Sequence, residues 1–374
     1  MNPPRALRLY AGPVARRHIE RHGLQPADIG VVPAAAGGPK GLILGPLDQF
    51  IFGRWLPQSP QPQRPVHLVA ASIGAWRMAA ACLDDPWAAF ERLSHDYIRQ
   101  HQEPPPGRKM PTADQISEGF ARGLRDFYGD RLDEILSHPR YRLHVLVSRG
   151  RQLLRREHPL ATPLGYASAF VANAVHRPAL GGWLERMVFS SGEGDASLGP
   201  LPFATQDFRT RRLPLTEANF HAVVQASCAI PFFMRAVNDI PGAPPGAYWD
   251  GGLTDYHLHL DYRPPQDPGP GQGGLVLYPH FQKSVVPGWL DKGLRWRHQA
   301  TGFLDPMLVL APDPAWVATL PDGKLPDRTD FTRYGQDLAA RVKAWTAAVD
   351  AARQMAEEFE VWLRDPDPSR VEAL

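Results

Sequence analysis

Three short stretches of the chain contain the residue types that acyl-transfer chemistry requires. They are GGPKG at 37–41, AASIG at 70–74 and DGG at 250–252. A serine hydroxyl is a poor nucleophile by itself, so it needs a base within reach and hydrogen-bond donors for the developing oxyanion. Ser72 offers the hydroxyl and Asp250 offers the carboxylate. The donors would have to come from the glycine-rich segment.

The glycine-rich segment follows an apolar run at 29–36, which is typical of a buried strand. Proline is favoured at the first position of a helix, so Pro39 indicates that a helix begins there. Free N–H groups at a helix N-terminus form an anion site, and because proline has no N–H, the two glycines before it are the better donors. The predicted oxyanion site consists of four residues around this helix start: Gly37, Gly38, Lys40 and Gly41.

Nucleotide binding fits the same segment poorly. The phosphate-loop motif G-x-x-x-x-G-K-[ST] is not met, because Lys40 is followed by Gly41 and not by a hydroxyl residue that could bind magnesium. The dinucleotide motif G-x-G-x-x-G is absent from the sequence. The net charge of +2 is not accompanied by a basic stripe, which argues against nucleic-acid partners. We expect no cofactor and no metal.

The segments around the motifs predict the elements that position them. Apolar runs at 29–36 and 66–71 are each followed by a turn of small residues and a stretch with helical spacing. Two strand–turn–helix units in succession favour a parallel sheet with helices on its faces. Further strands are expected at 141–149, 186–191, 274–281 and 306–312. Helices are expected at 86–137, with a loop at 103–111, and at 215–230.

Taken in order, the three motifs resemble the signatures of the patatin-like phospholipase family: an oxyanion loop G-G-x-[RK]-G, an elbow G-x-S-x-G and a D-G-[GA] element. A fourth stretch, QASCAIPFF at 225–233, is similar to the family's A-S-x-A-x-P segment. The resemblance covers approximately residues 29–260. It implies a three-layer α/β/α sandwich with a mainly parallel central sheet, and a Ser–Asp dyad that works without histidine.

By this resemblance, Ser72 attacks an ester carbonyl while Asp250 takes its proton and later activates water. The amides of Gly37 and Gly38 would bind the oxyanion. The implied substrates are acyl lipids, including phospholipids, lysophospholipids and acylglycerols, and small esters. Ala70 stands where the family has a glycine, which adds one methyl group beneath the elbow. The residues expected to support the elbow and the base are Ala70, Gly74, Gly251 and Gly252.

The stretch after the aspartate leaves alternatives open. Its acidic and histidine side chains recur at steps of two, so a strand would direct all of them to one face, where they could bind a metal. A polar, solvent-facing strand or loop is the favoured interpretation. A Ser–Asp–His triad of the α/β-hydrolase type is also permitted by residue order, with a histidine here or with His280 or His298. A non-catalytic protein that keeps the fold as a scaffold is the remaining alternative. The residues concerned are Asp255, His257, His259 and Asp261.

A C-terminal helix is predicted over 332–364 from an apolar stripe at alternating steps of four and three. Packing on the protein's own body is the favoured interpretation. Self-association through this helix and a membrane-surface helix stay open, and Trp345 and Trp362 are compatible with the latter. The stripe consists of Leu338, Val342, Trp345, Val349, Ala352, Ala356, Phe359 and Leu363.

The chain is expected to divide into a lead-in at 1–28, a hydrolase domain at 29–312 and a helical extension at 313–374. No apolar run reaches the ~18 residues that a membrane span needs, and the N-terminus does not read as a secretory signal. Cys82 and Cys228 are expected to be small buried hydrophobes. The expected location is the cytoplasm, with peripheral membrane contact left open. Five aromatic residues could line an acyl pocket, although a core role is favoured: Trp76, Phe90, Tyr97, Phe120 and Phe127.

Overall fold

The computed structural model describes residues 4–60, 64–108, 110–192, 199–263 and 271–374. Within these ranges the chain is a mixed α/β protein built on one mostly parallel sheet, consistent with the predicted three-layer α/β/α sandwich. The strands are β1 (Leu7–Ala11), β2 (Ile29–Ala34), β3 (Val66–Ala71), β4 (Tyr141–Gly150), β5 (Leu184–Ser190), β6 (Thr210–Pro214), β7 (Val237–Asn238), β8 (Ala247–Trp249), β9 (Leu275–Pro279), β10 (Met307–Pro312) and β11 (Val371–Ala373). The helices are α1 (Pro13–His22), α2 (Gly45–Phe50), α3 (Ile73–Ala81), α4 (Pro86–Arg99), α5 (Ala113–Tyr128), α6 (Leu132–Leu136), α7 (Ala161–Val175), α8 (Phe220–Ser227), α9 (Gly252–Asp255), α10 (Pro314–Val317), α11 (Thr329–Tyr334), α12 (Leu338–Ala351) and α13 (Arg353–Arg364).

The strand order across the sheet is β11-β1-β10-β9-β2-β3-β4-β5-β6, and β8 also pairs with β4 and with β7. The five central strands β10, β9, β2, β3 and β4 run parallel to one another. Their side chains are almost all buried, as expected for parallel strands covered on both faces. Because β2 and β3 are adjacent and parallel, the segments that follow them leave the sheet at the same edge.

Strand β8 runs antiparallel to the central strands and leads to the same edge of the sheet. It pairs antiparallel with β4, and Trp249 lies opposite Ser148. The next residues turn close to β4, because a Cβ atom on Gly251 would lie 2.1 Å from the carbonyl oxygen of Leu146. Leu146 is in turn paired with Ala71, the last residue of β3. Asp250 therefore lies next to the end of β3.

The C-terminal residues pack on the rest of the protein. Trp345 of α12 is 1% exposed and lies 6.3 Å from the ring of Tyr97, and Phe359 of α13 lies 6.1 Å from the ring of Phe50. The final strand β11 pairs parallel with β1 and extends the sheet. The apolar stripe of the C-terminal helices thus contributes to packing on the protein's own body.

Four secondary-structure predictions need correction. The predicted helix over 332–364 is three helices, because Gly335 adopts a positive φ of 52° after α11 and Asp337 caps the start of α12. The segment after the glycine-rich turn starts as a 3-10 helix at Gly38–Leu44 and becomes α-helical only in α2. The predicted helix at 215–230 is limited to α8. The stretch after Asp250 does not face solvent: it forms the short helix α9 followed by a loop, and Asp255, His257 and His259 are buried.

No helix in the described part of the chain is long and apolar enough to cross a membrane. Cys82 and Cys228 are both buried free thiols, as predicted.

Candidate active site

Ser72 occupies a strained turn between β3 and α3. Its backbone adopts φ 57° and ψ −131°, a conformation that residues other than glycine rarely adopt. Its hydroxyl donates a hydrogen bond of 2.8 Å to Oδ2 of Asp250. Both side chains are buried, at 3% and 6% exposure. A strained strand-to-helix turn that presents a serine hydroxyl to a neighbouring acid is the arrangement of a nucleophile elbow.

Close backbone approaches on both sides of the elbow require glycine. A Cβ atom on Gly74 would lie 2.0 Å from the carbonyl oxygen of Ala34 in β2, and one on Gly251 would meet the carbonyl of Leu146. Ala70 is fully buried within β3, where it pairs with Ala34 and tolerates its own methyl group. Its methyl group is part of the packed core of the protein.

The carboxyl group of Asp250 is held by its own turn. Its Oδ1 accepts the N–H of Gly252 at 2.7 Å, and its backbone N–H donates to the carbonyl of Ala229 at 3.0 Å. Burial raises the pKa of Asp250 to about 6. The charge of Arg328 and the hydrogen bond from Ser72 oppose that rise and lower the pKa. A carboxyl with this pKa is ionised at neutral pH and can accept a proton from serine.

The glycine-rich segment lies beside this turn. The N–H of Ala36 donates to the carbonyl of Tyr256 at 3.0 Å, and a Cβ atom on Gly252 would lie 2.7 Å from that of Ala36. Within the described residues, no group accepts a hydrogen bond from the N–H of Gly37 or Gly38. Two backbone donors therefore remain available for a ligand near Asp250.

The other two residues of the predicted oxyanion site have different surroundings. The ammonium of Lys40 lies 5.3 Å from the centroid of the Phe281 ring, and burial lowers the pKa of Lys40. Gly41 lies in the 3-10 helix, where a Cβ atom would be 3.4 Å from Cγ2 of Ile73. Lys40 thus contributes a charge to the site and Gly41 a close contact with the residue after Ser72.

Ser227 and Cys228 lie at the elbow, although the sequence analysis did not assign them to it. The hydroxyl of Ser227 accepts the N–H of Ser72 at 2.9 Å and donates to the carbonyl of Leu146 at 2.7 Å. Cys228 follows Ser227 directly, and burial raises the pKa of its thiol. The signal for both residues was present in the stretch QASCAIPFF, which resembles the family's A-S-x-A-x-P segment.

None of the four histidines named as triad candidates forms a hydrogen bond with Ser72 or Asp250 in the described structure. His257 accepts the N–H of Val286 at 3.1 Å, and His259 contacts the carbonyl of Val285 and the hydroxyl of Thr301. The remaining two bond to backbone carbonyl oxygens, His280 to Gln282 and His298 to Asp291. Burial lowers the pKa of three of these imidazoles: His257, His259 and His280.

The acidic residues of the same stretch point to separate partners. Asp255 forms a buried ion pair with Arg186 at 2.6 Å, and Asp261 pairs with Arg263 at 2.6 Å. The regular steps of two do not bring them together because the chain turns through α9 after Asp250. In the part of the chain that the structure describes, no group of three or more histidine, cysteine or acidic residues is arranged to hold a metal ion.

A narrow, mainly apolar cleft lies next to the elbow. Its free volume is about 20 Å³, enough for about one water molecule, and the buried pair of Arg77 and Asp48 forms part of its wall. Trp76 lies outside this cleft and packs edge-on against Phe120 and Phe127, so these three aromatic residues belong to the core. The apolar and aromatic lining consists of Leu42, Ile73, Phe90, Leu93 and Tyr97.

Comparison with known proteins adds little to this geometry. No family model matches the chain, and no curated protein matches it in sequence. Among solved structures, the chain is similar to the crystal structure of VipD from Legionella pneumophila, with 14% sequence identity and a TM-score of 0.35. The match covers 96% of this chain and 71% of that one.

Proposed function

We propose that this protein is a serine hydrolase of the patatin type that cleaves carboxylic esters of acyl lipids. The observation that carries the proposal is the direct hydrogen bond of 2.8 Å from the hydroxyl of Ser72, on a strained elbow, to the buried carboxylate of Asp250. Serine becomes a useful nucleophile when an adjacent base can take its proton. Asp250 occupies the position of that base.

The reaction begins when Oγ of Ser72 attacks the ester carbonyl carbon and its proton moves to Oδ2 of Asp250. The N–H groups of Gly37 and Gly38 bind the tetrahedral oxyanion, and loss of one such donor typically costs ~10²–10³-fold in rate. Collapse of the intermediate expels the alcohol, which takes the proton from Asp250. Asp250 then takes a proton from water, the resulting hydroxide attacks the acyl-enzyme, and the acid is released as Ser72 recovers its proton.

The acyl chain of the substrate enters at the cleft beside Ile73. With about 20 Å³ of free space the cleft is too small for an acyl chain, so its side chains have to move apart to admit one. This cleft is lined mainly by apolar side chains and begins at the residue that follows the nucleophile, so it favours hydrocarbon over a polar group. Phe90 and Tyr97 border it, which gives two of the aromatic residues a role in the pocket as well as in packing.

The protein contacts its lipid substrate peripherally, at a membrane surface. Support comes from α7, whose exposed apolar side chains Leu164, Val171 and Val175 recur at spacings that bring them to one helix face. Within the same helix, Tyr166 packs against Phe232 and against Trp249, the residue before Asp250.

The flank of this face carries an exposed tryptophan and a free positive charge. Trp296 is 67% exposed, and the guanidinium of its neighbour Arg297 donates to the carbonyl of Ala174 near the end of α7. Arg295 is exposed and has no carboxylate partner within the described residues. Aromatic and basic side chains beside an apolar face favour an anionic lipid surface.

The dyad is tested with purified wild-type protein, Ser72→Ala and Asp250→Asn, assayed on p-nitrophenyl butyrate and on a long-chain phospholipid. We expect each substitution to lower kcat by about 10³-fold or more. A fluorophosphonate probe should label the wild-type protein at Ser72 and leave Ser72→Ala unlabelled. Unchanged hydrolysis in both variants would refute the proposal, and an unlabelled wild-type protein would indicate a scaffold.

Separate alanine substitutions of the four histidines test the triad alternative. We expect all four variants to keep hydrolysis within about threefold of wild type, because none of these side chains contacts the dyad. Collapse of activity in one correctly folded variant would indicate a triad. The variants are His257→Ala, His259→Ala, His280→Ala and His298→Ala.

A further inference from the structure

Three cationic side chains lie against the residues that flank the candidate dyad, and two of them come from chain segments outside the catalytic motifs. The guanidinium of Arg328 lies against the oxyanion segment, because a Cβ atom on Gly38 would be 3.3 Å from its Nε. The ammonium of Lys292 lies 4.7 Å from the ring centroid of Tyr256, whose carbonyl accepts the N–H of Ala36. Lys40 extends from the oxyanion segment itself.

Lys40 is half-buried, and Lys292 and Arg328 reach the site from the exposed surface. In the described ranges, no Asp or Glu oxygen lies within 4.0 Å of the charged groups of Lys40, Lys292 or Arg328. By contrast, Arg177 pairs with Asp291 at 2.7 Å. The acidic neighbour of Arg328 in sequence, Asp327, already pairs with Lys324. Among the described residues, no carboxylate therefore neutralises the cluster by direct contact, although the charges of Asp327 and Asp250 act on it from further away.

The cations are close enough to repel one another. The pKa of Lys292 falls to about 8 through burial and through the charges of Arg328 and Lys40, while Asp250 raises it. Burial and the charge of Arg328 also lower the pKa of Lys40. Like charges held together beside a site cost stability, and an anionic ligand would offset that cost.

We infer that Lys40, Lys292 and Arg328 form a subsite for a phosphate monoester on the alcohol portion of the substrate, so that the preferred esters carry net negative charge. A guanidinium can bind two phosphate oxygens in parallel, and two ammonium groups add point charges for the others. A choline head group would bring its trimethylammonium towards the same cations, so zwitterionic lipids should be poorer substrates. The inference rests on the proposed function, because it assigns a binding partner to the same site.

Hydrolysis of three lipids with one oleoyl chain measures this preference: 1-oleoylglycerol 3-phosphate, 1-oleoylglycero-3-phosphocholine and 1-oleoylglycerol. In wild-type protein we expect kcat/KM to be highest for the phosphate monoester, mainly through a lower KM. The ratio of kcat/KM for the phosphate monoester to that for 1-oleoylglycerol should fall about tenfold or more in Arg328→Gln and in Lys292→Gln. The same Asp250 acts on both substrates, so any effect of the lost charge on Asp250 changes both kcat/KM values alike and cancels in their ratio.

Arg21→Gln is the matched control, because Arg21 is exposed on α1 and belongs to a different part of the surface. This variant should keep the wild-type ratio. An unchanged ratio in both Arg328→Gln and Lys292→Gln overturns the subsite, as does a wild-type preference for 1-oleoylglycerol. Hydrolysis that still depends on Ser72 would in that case leave the proposed function standing.

Binding to Ser72→Ala tests the subsite without catalysis. Calorimetric titration with glycerol 3-phosphate should show saturable binding, about tenfold weaker or more in Ser72→Ala/Arg328→Gln, whereas glycerol should not bind. Absence of glycerol 3-phosphate binding overturns the subsite. If inorganic phosphate binds as tightly as glycerol 3-phosphate, the assignment of the subsite to a lipid head group is overturned. Binding without any hydrolysis in wild-type protein would refute the proposed function and retain the anion site.

Discussion

The Asp250 carboxyl group experiences opposing influences on its proton affinity. Burial disfavours the charged form and raises its pKa, whereas the charges of Arg328 and Lys292 and the hydrogen bonds from Ser72 and Gly252 favour the charged form. The net result is a pKa of about 6. A base with this pKa is ionised at neutral pH and still has enough proton affinity to take a proton from serine in the transition state.

Hydrolysis should therefore be lost as the pH falls through about 6. Below that pH the Asp250 carboxyl is protonated and cannot accept the proton of Ser72, so kcat/KM should fall about tenfold per pH unit. A pH profile of kcat/KM for p-nitrophenyl butyrate measures this limb. In Arg328→Gln the limb should move to higher pH, because Arg328 lowers the pKa of Asp250. A limb near pH 4 in wild-type protein would contradict the raised pKa of Asp250.

The sequence predicted the residues of the dyad more completely than the residues around it. Ser72 and Asp250 each lie in a short sequence motif. Each motif is recognisable in a single sequence because the local backbone conformation requires its residues. Lys292 and Arg328 carry no such motif, and only the tertiary fold brings Arg328 beside Gly38 and Lys292 beside Tyr256. Charged residues that reach a site from distant segments are not visible in local spacing.

At the scale of elements, the elbow depends on how closely α3 approaches β2. Replacing Gly74 by alanine would put a methyl group 2.0 Å from the carbonyl oxygen of Ala34, so the turn at Ser72 must shift. We expect Gly74→Ala to lower the free energy of unfolding by about 1–3 kcal/mol. We also expect a loss of activity of tenfold or more, because small displacements of reacting groups are costly. Chemical denaturation and ester hydrolysis measure the two effects.

Gly182→Ala is the control for this substitution. Gly182 is exposed, and a Cβ atom there would meet no atom within 4 Å. This variant should change the free energy of unfolding by less than about 0.5 kcal/mol and leave hydrolysis at the wild-type rate. Equal stability and activity of Gly74→Ala and Gly182→Ala would show that the elbow does not need the close approach.

The buried central strands were predictable, and several peripheral elements were not. Apolar runs predicted β2, β3, β9 and β10, because parallel strands covered on both faces need continuous hydrophobic sequence. Helix α7 was missed because apolar residues occur on its buried side as well as on its exposed side, so it lacks the polar face that marks an amphipathic helix in sequence.

At the scale of the whole molecule, one hydrophobic cluster joins the sheet to the C-terminal helices. It extends from Ala6 in the chain to Val371 and includes Phe359 and Trp362 of α13. The apolar surface of these helices is therefore buried in the core of the protein. The apolar surface that remains exposed is concentrated on α7 and beside it, with Leu160 and Val175 about four-fifths exposed, at 78% and 82%.

This distribution predicts which surface contacts lipid. The double variant Leu164→Asp/Val171→Asp should reduce co-sedimentation with phosphatidylglycerol–phosphatidylcholine vesicles about tenfold or more, because it puts two carboxylates on the apolar face of α7. The ratio of vesicle-lipid hydrolysis to p-nitrophenyl butyrate hydrolysis should fall in parallel. Val361→Asp is the control, since Val361 is similarly exposed, at 61%, but lies on α13. Equal vesicle binding by the two variants would exclude α7 as the contact surface and leave the Ser72–Asp250 dyad unaffected.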